Sequence, residues 1–170
     1  MNSATLKIFL RPERCIECHA CELACENTHG GISNVEVHGS PLFCRHCEVP
    51  PCVTSCYRDA IQVREGWVLL LKDRCTNCGI CLLACPFGAI MAKWKPRADG
   101  MQIPYVHKCD GCVERSAGKL APNAFEMADA RPACAATCPS GAIEWKDIKE
   151  GSASNRVKAY MLYLATGNKA

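Results

Sequence analysis

Apolar positions come in short bursts along most of this chain, and helical periodicity appears only near its end. Leu6, Ile8 and Leu10 alternate loosely with their neighbours, so residues 5–10 read as a short strand. Residues 35–39 (Val-Glu-Val-His-Gly) give a second strand candidate. Residues 60–64 and 67–71 are apolar on either side of Glu65-Gly66 and predict a hairpin. Residues 89–94 predict another strand, followed by a turn-rich break over 95–100 (Lys-Pro-Arg-Ala-Asp-Gly). Residues 141–143 repeat the Gly-Ala-Ile of 88–90. Near the end, Val157, Tyr160, Met161, Leu164 and Ala165 share one helical face, with Ser154 or Asn155 as N-cap and Gly167 as stop. No apolar run approaches the roughly 18 residues that span a bilayer.

Cysteine dominates the spaces between these bursts, at 16 of 170 residues. The third of four runs is the most regular: Cys75-x2-Cys78-x2-Cys81-x3-Cys85-Pro86. A loop of this length can curl round one corner of a cubane and deliver three thiolates to three irons, while the fourth cysteine lies beyond reach and is free to serve a second cluster. The first run, Cys15-x2-Cys18-x2-Cys21-x3-Cys25, has the same spacing, with Glu26-Asn27 where proline usually follows. The second, Cys44-x2-Cys47-x4-Cys52-x3-Cys56, holds two extra residues stiffened by Pro50-Pro51, and Tyr57 follows it. The fourth opens with Cys109-x2-Cys112, runs through a surface excursion over 113–133 with a helical turn near Phe125, and closes with Cys134-x3-Cys138-Pro139. Tetrahedral zinc would suit the second or fourth run alone, but not three cysteines within seven residues. Disulfides between cysteines this close would be strained. The aromatic fraction of 6% leaves a thin ordinary core, so metal clusters are expected to form the packed centre and to be required for folding.

The order of the runs, Pro50-Pro51-Cys52, the segment 108–115 (Lys-Cys-Asp-Gly-Cys-Val-Glu-Arg) and the segment 132–139 (Pro-Ala-Cys-Ala-Ala-Thr-Cys-Pro) are together specific. They resemble the four-cluster, ferredoxin-like electron-transfer subunits of molybdenum and tungsten oxidoreductases: the dimethyl sulfoxide reductase, formate dehydrogenase and aldehyde oxidoreductase families, with some hydrogenases and carbon monoxide dehydrogenases. The likeness covers residues 5–146. It implies an α+β fold of two nested ferredoxin-like modules: an outer one from 1–40 and 104–150, an inner one from 41–103, and a C-terminal amphipathic helix or tail over 151–170. It also implies four 4Fe–4S clusters with exchanged ligands. One would take Cys15, Cys18, Cys21 and Cys138. A second would take Cys25, Cys109, Cys112 and Cys134. A third would take Cys44, Cys47, Cys52 and Cys85, and the last Cys56, Cys75, Cys78 and Cys81.

Charge changes the picture less than the formal +3 suggests, because sixteen thiolates on four clusters would take the loaded protein to about −5. Basicity is then counter-charge for buried anions, and nucleic acid is not expected as a partner. Ala20, Ala24, Gly79, Ala84 and Gly111 are small enough to let backbone N–H groups approach sulfur. Glu17, Glu22 and Glu26 crowd the first run and Lys72 and Arg74 flank the third, which predicts a lower potential for the first. His46, His19 and His107 read as structural or tuning residues, His29 and His38 as turn residues, and Trp67, Trp94 and Trp145 as packing over the clusters. No phosphate loop, nucleophile–base pair or oxyanion site is present, so no independent catalysis is expected. The N-terminus lacks a signal-peptide pattern and a twin arginine, which points to the cytoplasm. The partners implied are a catalytic oxidoreductase subunit and a second redox partner. A freely diffusing polyferredoxin is the alternative, as is a scaffold that self-associates through residues 155–166.

Overall fold

The protein is described from a computed structural model, which covers residues 6–64, 66–113 and 131–147. The hairpin turn at Glu65, the helical turn near Phe125 and the C-terminal helix lie outside the described residues. All sixteen cysteines lie within them.

Short strands and short helices alternate: β1 (Leu6–Leu10), α1 (Ala20–Thr28), β2 (Glu36–His38), β3 (Ser40–Leu42), α2 (Pro51–Thr54), β4 (Ile61–Arg64), β5 (Trp67–Leu70), α3 (Ile80–Ala84), β6 (Ile90–Pro96), β7 (Gln102–Lys108), α4 (Ala133–Thr137) and β8 (Ile143–Asp147). The strands form four antiparallel pairs, β1–β8, β2–β3, β4–β5 and β6–β7. This is an α+β architecture of ferredoxin-like modules, and the modules are nested. Helix α1 packs on α4 and α2 packs on α3, so the first cysteine run meets the fourth while the second meets the third. The strand pair β1–β8 closes the outer module by matching Leu6 with Asp147 and Leu10 with Ile143.

The β4–β5 hairpin lies where apolar patterning puts it, with Ile61, Val68 and Leu70 buried. Two other pairs go beyond the pattern. β3 joins β2 round the left-handed Gly39 (φ 73°). β6 continues through Lys95 and Pro96, into the stretch read as a break, and pairs with the unexpected β7. Pro96 is tolerated because it ends the strand. Trp94 stands 63% exposed on this hairpin, away from any packing role.

Two cores result. Ile8, Val35, Val37, Phe43 and Ile143 pack with Cys21, Cys25, Cys44, Cys109 and Cys134. Ala60, Ile61, Val68, Leu70, Ile90 and Val106 pack with Cys52 and Cys81. In the first core half of the buried residues are cysteines, so the thin apolar core is completed by ligand-type side chains.

Where the modules meet, Trp67 of β5 stacks on Trp145 of β8, with ring centroids 5.7 Å apart and planes 20° from parallel. The closing strands are further held by Arg11, 5% exposed, whose Nε donates to Glu144 Oε2 at 2.9 Å, and whose backbone N–H donates to the Ala142 carbonyl at 2.7 Å. Burial pushes the Glu144 carboxyl up, but its bonds to Arg11 and Lys146 outweigh this and hold it below the ordinary value. A depressed carboxyl contributes stability above its unfolded pKa of about 4.3 and loses it as pH falls through the lower folded value. Glu144→Gln, which removes the carboxylate bonded by Arg11, Arg14 and Lys146, should therefore cost about 2 kcal/mol near neutral pH. Urea midpoints measured from pH 7 downward should show the gap between variant and wild type narrowing in acid. A gap that stays constant would contradict this account.

Candidate metal centres

Each run uses the same local device. Its first cysteine starts a loop whose residue two positions on adopts a left-handed backbone: Glu17 (φ 52°), His46 (47°), Asn77 (57°) and Gly111 (70°). This conformation turns that residue's N–H back onto the first sulfur. Glu17, His46, Asn77 and Gly111 donate to the Sγ of Cys15, Cys44, Cys75 and Cys109, each at 3.4 Å. Three of the four are not glycine, and a left-handed L-residue costs on the order of 1–2 kcal/mol. The shared strain marks a conformation the site requires. Of the small residues singled out in the sequence as sulfur neighbours, Gly111 donates such a bond. The recurring signal is position, not size.

The third cysteine of each run is the second residue of a helix: Cys21 in α1, Cys52 in α2, Cys81 in α3 and Cys134 in α4. All four are buried, at 4–8% exposure. Fourth cysteines follow one turn later. In the third and fourth runs Pro86 and Pro139 come next, and the helices end with Cys85 and Cys138 as C-caps. In the first run Glu26 replaces proline, and α1 continues to Thr28.

That extra turn brings His29 beside Cys25. Its Nδ1 donates to the Cys25 carbonyl at 2.9 Å and lies 3.5 Å from the sulfur, while Nε2 donates to Asp110 Oδ1 at 3.1 Å. Asp110 also accepts the Cys112 N–H at 2.8 Å. Burial alone would lower His29, but these bonds push it up to about 11, and Asp110 is held below its ordinary value. His29, read from the sequence as a turn residue, is thus a cation joining the first run to the fourth. The i, i+4 spacing from Cys25 was the available signal, legible only once α1 was known to extend. His46 is neutral: burial first, then the charges of Lys108 and Lys7, hold it well below its ordinary value. Its Nδ1 accepts the Val68 N–H at 3.1 Å, so the proton sits on Nε2, which is buried without a hydrogen-bond partner.

The runs come together in pairs. Cys15, Cys18, Cys21 and Cys138 line one cavity, and Cys56, Cys75, Cys78 and Cys81 line another. Cys134 lies within electrostatic reach of Cys112 and Cys25, and of Cys21 across the outer module, while Cys109 is within reach of Cys134. Cys47 and Cys52 each feel Cys44 and Cys85. Burial pushes the thiols of Cys21 and Cys81 up to about 11 and raises Cys109 and Cys134 strongly. Cys138 moves the other way: burial opposes it, but N–H groups of Ile143, Ala142 and Ser140 and the Ser140 hydroxyl lower it. Buried thiols raised at the third cysteine of every run suit a site where a metal's positive charge would hold the thiolate. Convergent sulfurs and N–H groups aimed at them fit an iron–sulfur cluster.

Residues 35–148 match the model of the 4Fe-4S dicluster domain, and the chain belongs to that family. It is an iron–sulfur electron-transfer protein of the ferredoxin type. An iron-sulfur protein of Rhodospirillum rubrum is 31% identical over 165 residues, 83% of this chain and 82% of the relative. The electron transport protein HydN of Escherichia coli is 28% identical over 92% of this chain and 98% of its own length. The putative oxidoreductase AegA of Escherichia coli is 30% identical over 81% of this chain, but the match spans 21% of that longer protein. No helix among the described residues is long and apolar enough to cross a membrane.

Gly111 shows how tightly the modules meet at these loops. A Cβ added there would lie 2.3 Å from a Trp67 ring carbon. Gly111→Ala should cost about 2 kcal/mol from overpacking and the positive φ together. In a Trp67→Leu background the loss should shrink towards the backbone part, about 1 kcal/mol. Equal losses in both backgrounds, read as urea midpoints, would remove the steric explanation.

Proposed function

We propose that the chain holds four 4Fe–4S clusters and passes single electrons along them, between a catalytic oxidoreductase subunit of the molybdenum or tungsten type and a second redox partner. The clusters would supply one-electron storage. The chain's own residues hold them, exclude water and set the charge around each. The proposed ligand sets are Cys15, Cys18, Cys21 with Cys138; Cys109, Cys112, Cys134 with Cys25; Cys44, Cys47, Cys52 with Cys85; and Cys75, Cys78, Cys81 with Cys56.

The observation that carries the reading is the convergence of three cysteines from one run with the fourth of another, as at Cys15, Cys18, Cys21 and Cys138. Exchange of this kind links clusters through one covalent step of chain, because the cysteine lent by each run sits one helical turn from that run's own trio. The proposed modules are 1–40 with 104–150 and 41–103, joined by the β6–β7 hairpin. An oxidoreductase partner is supported by the AegA likeness, where a similar stretch lies within a longer chain so named. A reducing cytoplasm suits sixteen cysteines kept as thiolates.

Anaerobically purified protein should be brown and contain about sixteen iron and sixteen acid-labile sulfide per chain, as four cubanes require. About eight of each would sink the four-cluster reading. Native co-purification with a molybdenum- or tungsten-containing subunit would support the partner class, and recovery of the chain alone would count against a fixed partner.

A further inference from the structure

Lys108 is 5% exposed, and an ammonium so placed needs counter-charge or strong hydrogen bonding. Its Nζ donates to the Cys109 carbonyl at 2.8 Å and to the Val68 carbonyl of β5. Those are neutral acceptors. The ion pairs found among the described residues do not include it. Asp110 is two residues away, but its carboxylate is engaged by His29 at 3.1 Å. A cavity of about 90 Å³ adjoins Lys108 and is lined by Ile32 and Leu70 as well as by His29, Lys72, His107 and Asp110, so its charged lining is more cationic than anionic. Its bonds place it between two cysteine runs: the Cys109 carbonyl belongs to the fourth, and Val68, whose carbonyl it also bonds, donates its N–H to His46 Nδ1 between Cys44 and Cys47 of the second.

We propose that Lys108 is the buried counter-charge shared by the second and fourth cysteine runs, and that it raises the reduction potential of the cluster held by Cys44, Cys47 and Cys52. The proposal rests on the four-cluster reading above. Reduction adds one negative charge to a cluster that is already anionic, and a nearby fixed cation stabilises the reduced form more than the oxidised one. Burial makes the effect larger than any surface lysine could exert, because solvent and salt do not screen it. The placement also differs from the sequence expectation that potential differences arise from Lys72 and Arg74 flanking the third run. Lys108 reaches both modules, since β7 carries it back against β5 just before the fourth run begins.

The test is an EPR-monitored redox titration of the full chain, purified anaerobically, as wild type, Lys108→Met, Lys108→Gln, Lys108→Arg and Lys95→Met. Lys95 is an exposed lysine on the β6–β7 hairpin and serves as the control. The two neutral variants at position 108 should lower at least one midpoint by ~59 mV or more, a tenfold change in a one-electron equilibrium. At least one other midpoint should stay in place, and Lys108→Arg and Lys95→Met should match wild type. Unmoved midpoints in the neutral variants at equal iron content overturn the proposal, as does an equal shift in Lys95→Met. If the neutral variants lose iron while Lys108→Arg keeps it, the charge is needed for assembly, and the counter-charge role is supported. If Lys108→Arg loses iron as they do, the residue acts through its shape and the proposal fails. Wild-type iron content tests the four-cluster reading separately, so the two failures are distinguishable.

Discussion

Taking thiolates out of water is the constraint on which this structure depends. A buried thiolate is costly unless metal ions, hydrogen bonds or cations meet its charge. Without such partners the thiols of Cys21, Cys81, Cys109 and Cys134 are pushed towards the neutral form. The left-handed residue two positions after the first cysteine of each run, the helix start at each third cysteine, and the buried Lys108 all answer the same need. Ordinary apolar packing is secondary in the first core, where half the buried residues are cysteines.

Nesting follows from how the loops must close. A trio of cysteines within one loop occupies three corners of a cubane, and the fourth corner has to be filled from another part of the chain. Helix α4 packs alongside α1 of the first run and α3 alongside α2 of the second, so the end of one run is brought next to another. The outer module spans almost the full chain and therefore carries the longest loop closure. It is held by the β1–β8 pair, the Arg11–Glu144 ion pair and the stack of Trp67 on Trp145. These contacts bind no cofactor themselves, yet they bring Cys138 to the cavity it shares with Cys15, Cys18 and Cys21.

The electrostatics are organised at the joint between modules. His29 and Asp110 neutralise each other while linking the first and fourth runs. Glu22, which the sequence presents as one of the acids crowding the first run, is committed elsewhere: it accepts the Val37 N–H at 2.5 Å and contacts His19 at 2.7 Å, tying β2 to α1. Counting acids and bases near a motif therefore misjudges the field at a cluster. Which charges are already paired matters more, and so does which are buried.

The sequence by itself determined the chemistry and the class of fold. Cysteine spacing works over a few residues, where chain geometry leaves few choices, so thiolate loops and the β4–β5 hairpin are legible locally. The proline after Cys85 and Cys138 coincides with the ends of α3 and α4, and its absence after Cys25 with the longer α1, whereas α2 stops at Thr54 with Tyr57 after its last cysteine; the consequence for His29 emerges only when α1 is followed to its end. The expected exchange of fourth cysteines came from family resemblance, because pairings between separate runs leave no periodic trace. Tertiary structure alone decided that β1 pairs with β8, that β6 and β7 form a hairpin through a stretch rich in turn residues, and that Lys108 is buried between two cysteine runs. Each of these depends on what the rest of the chain places opposite. A lysine or a Gly-Pro-rich stretch looks like surface until a distant carbonyl, strand or sulfur is found facing it.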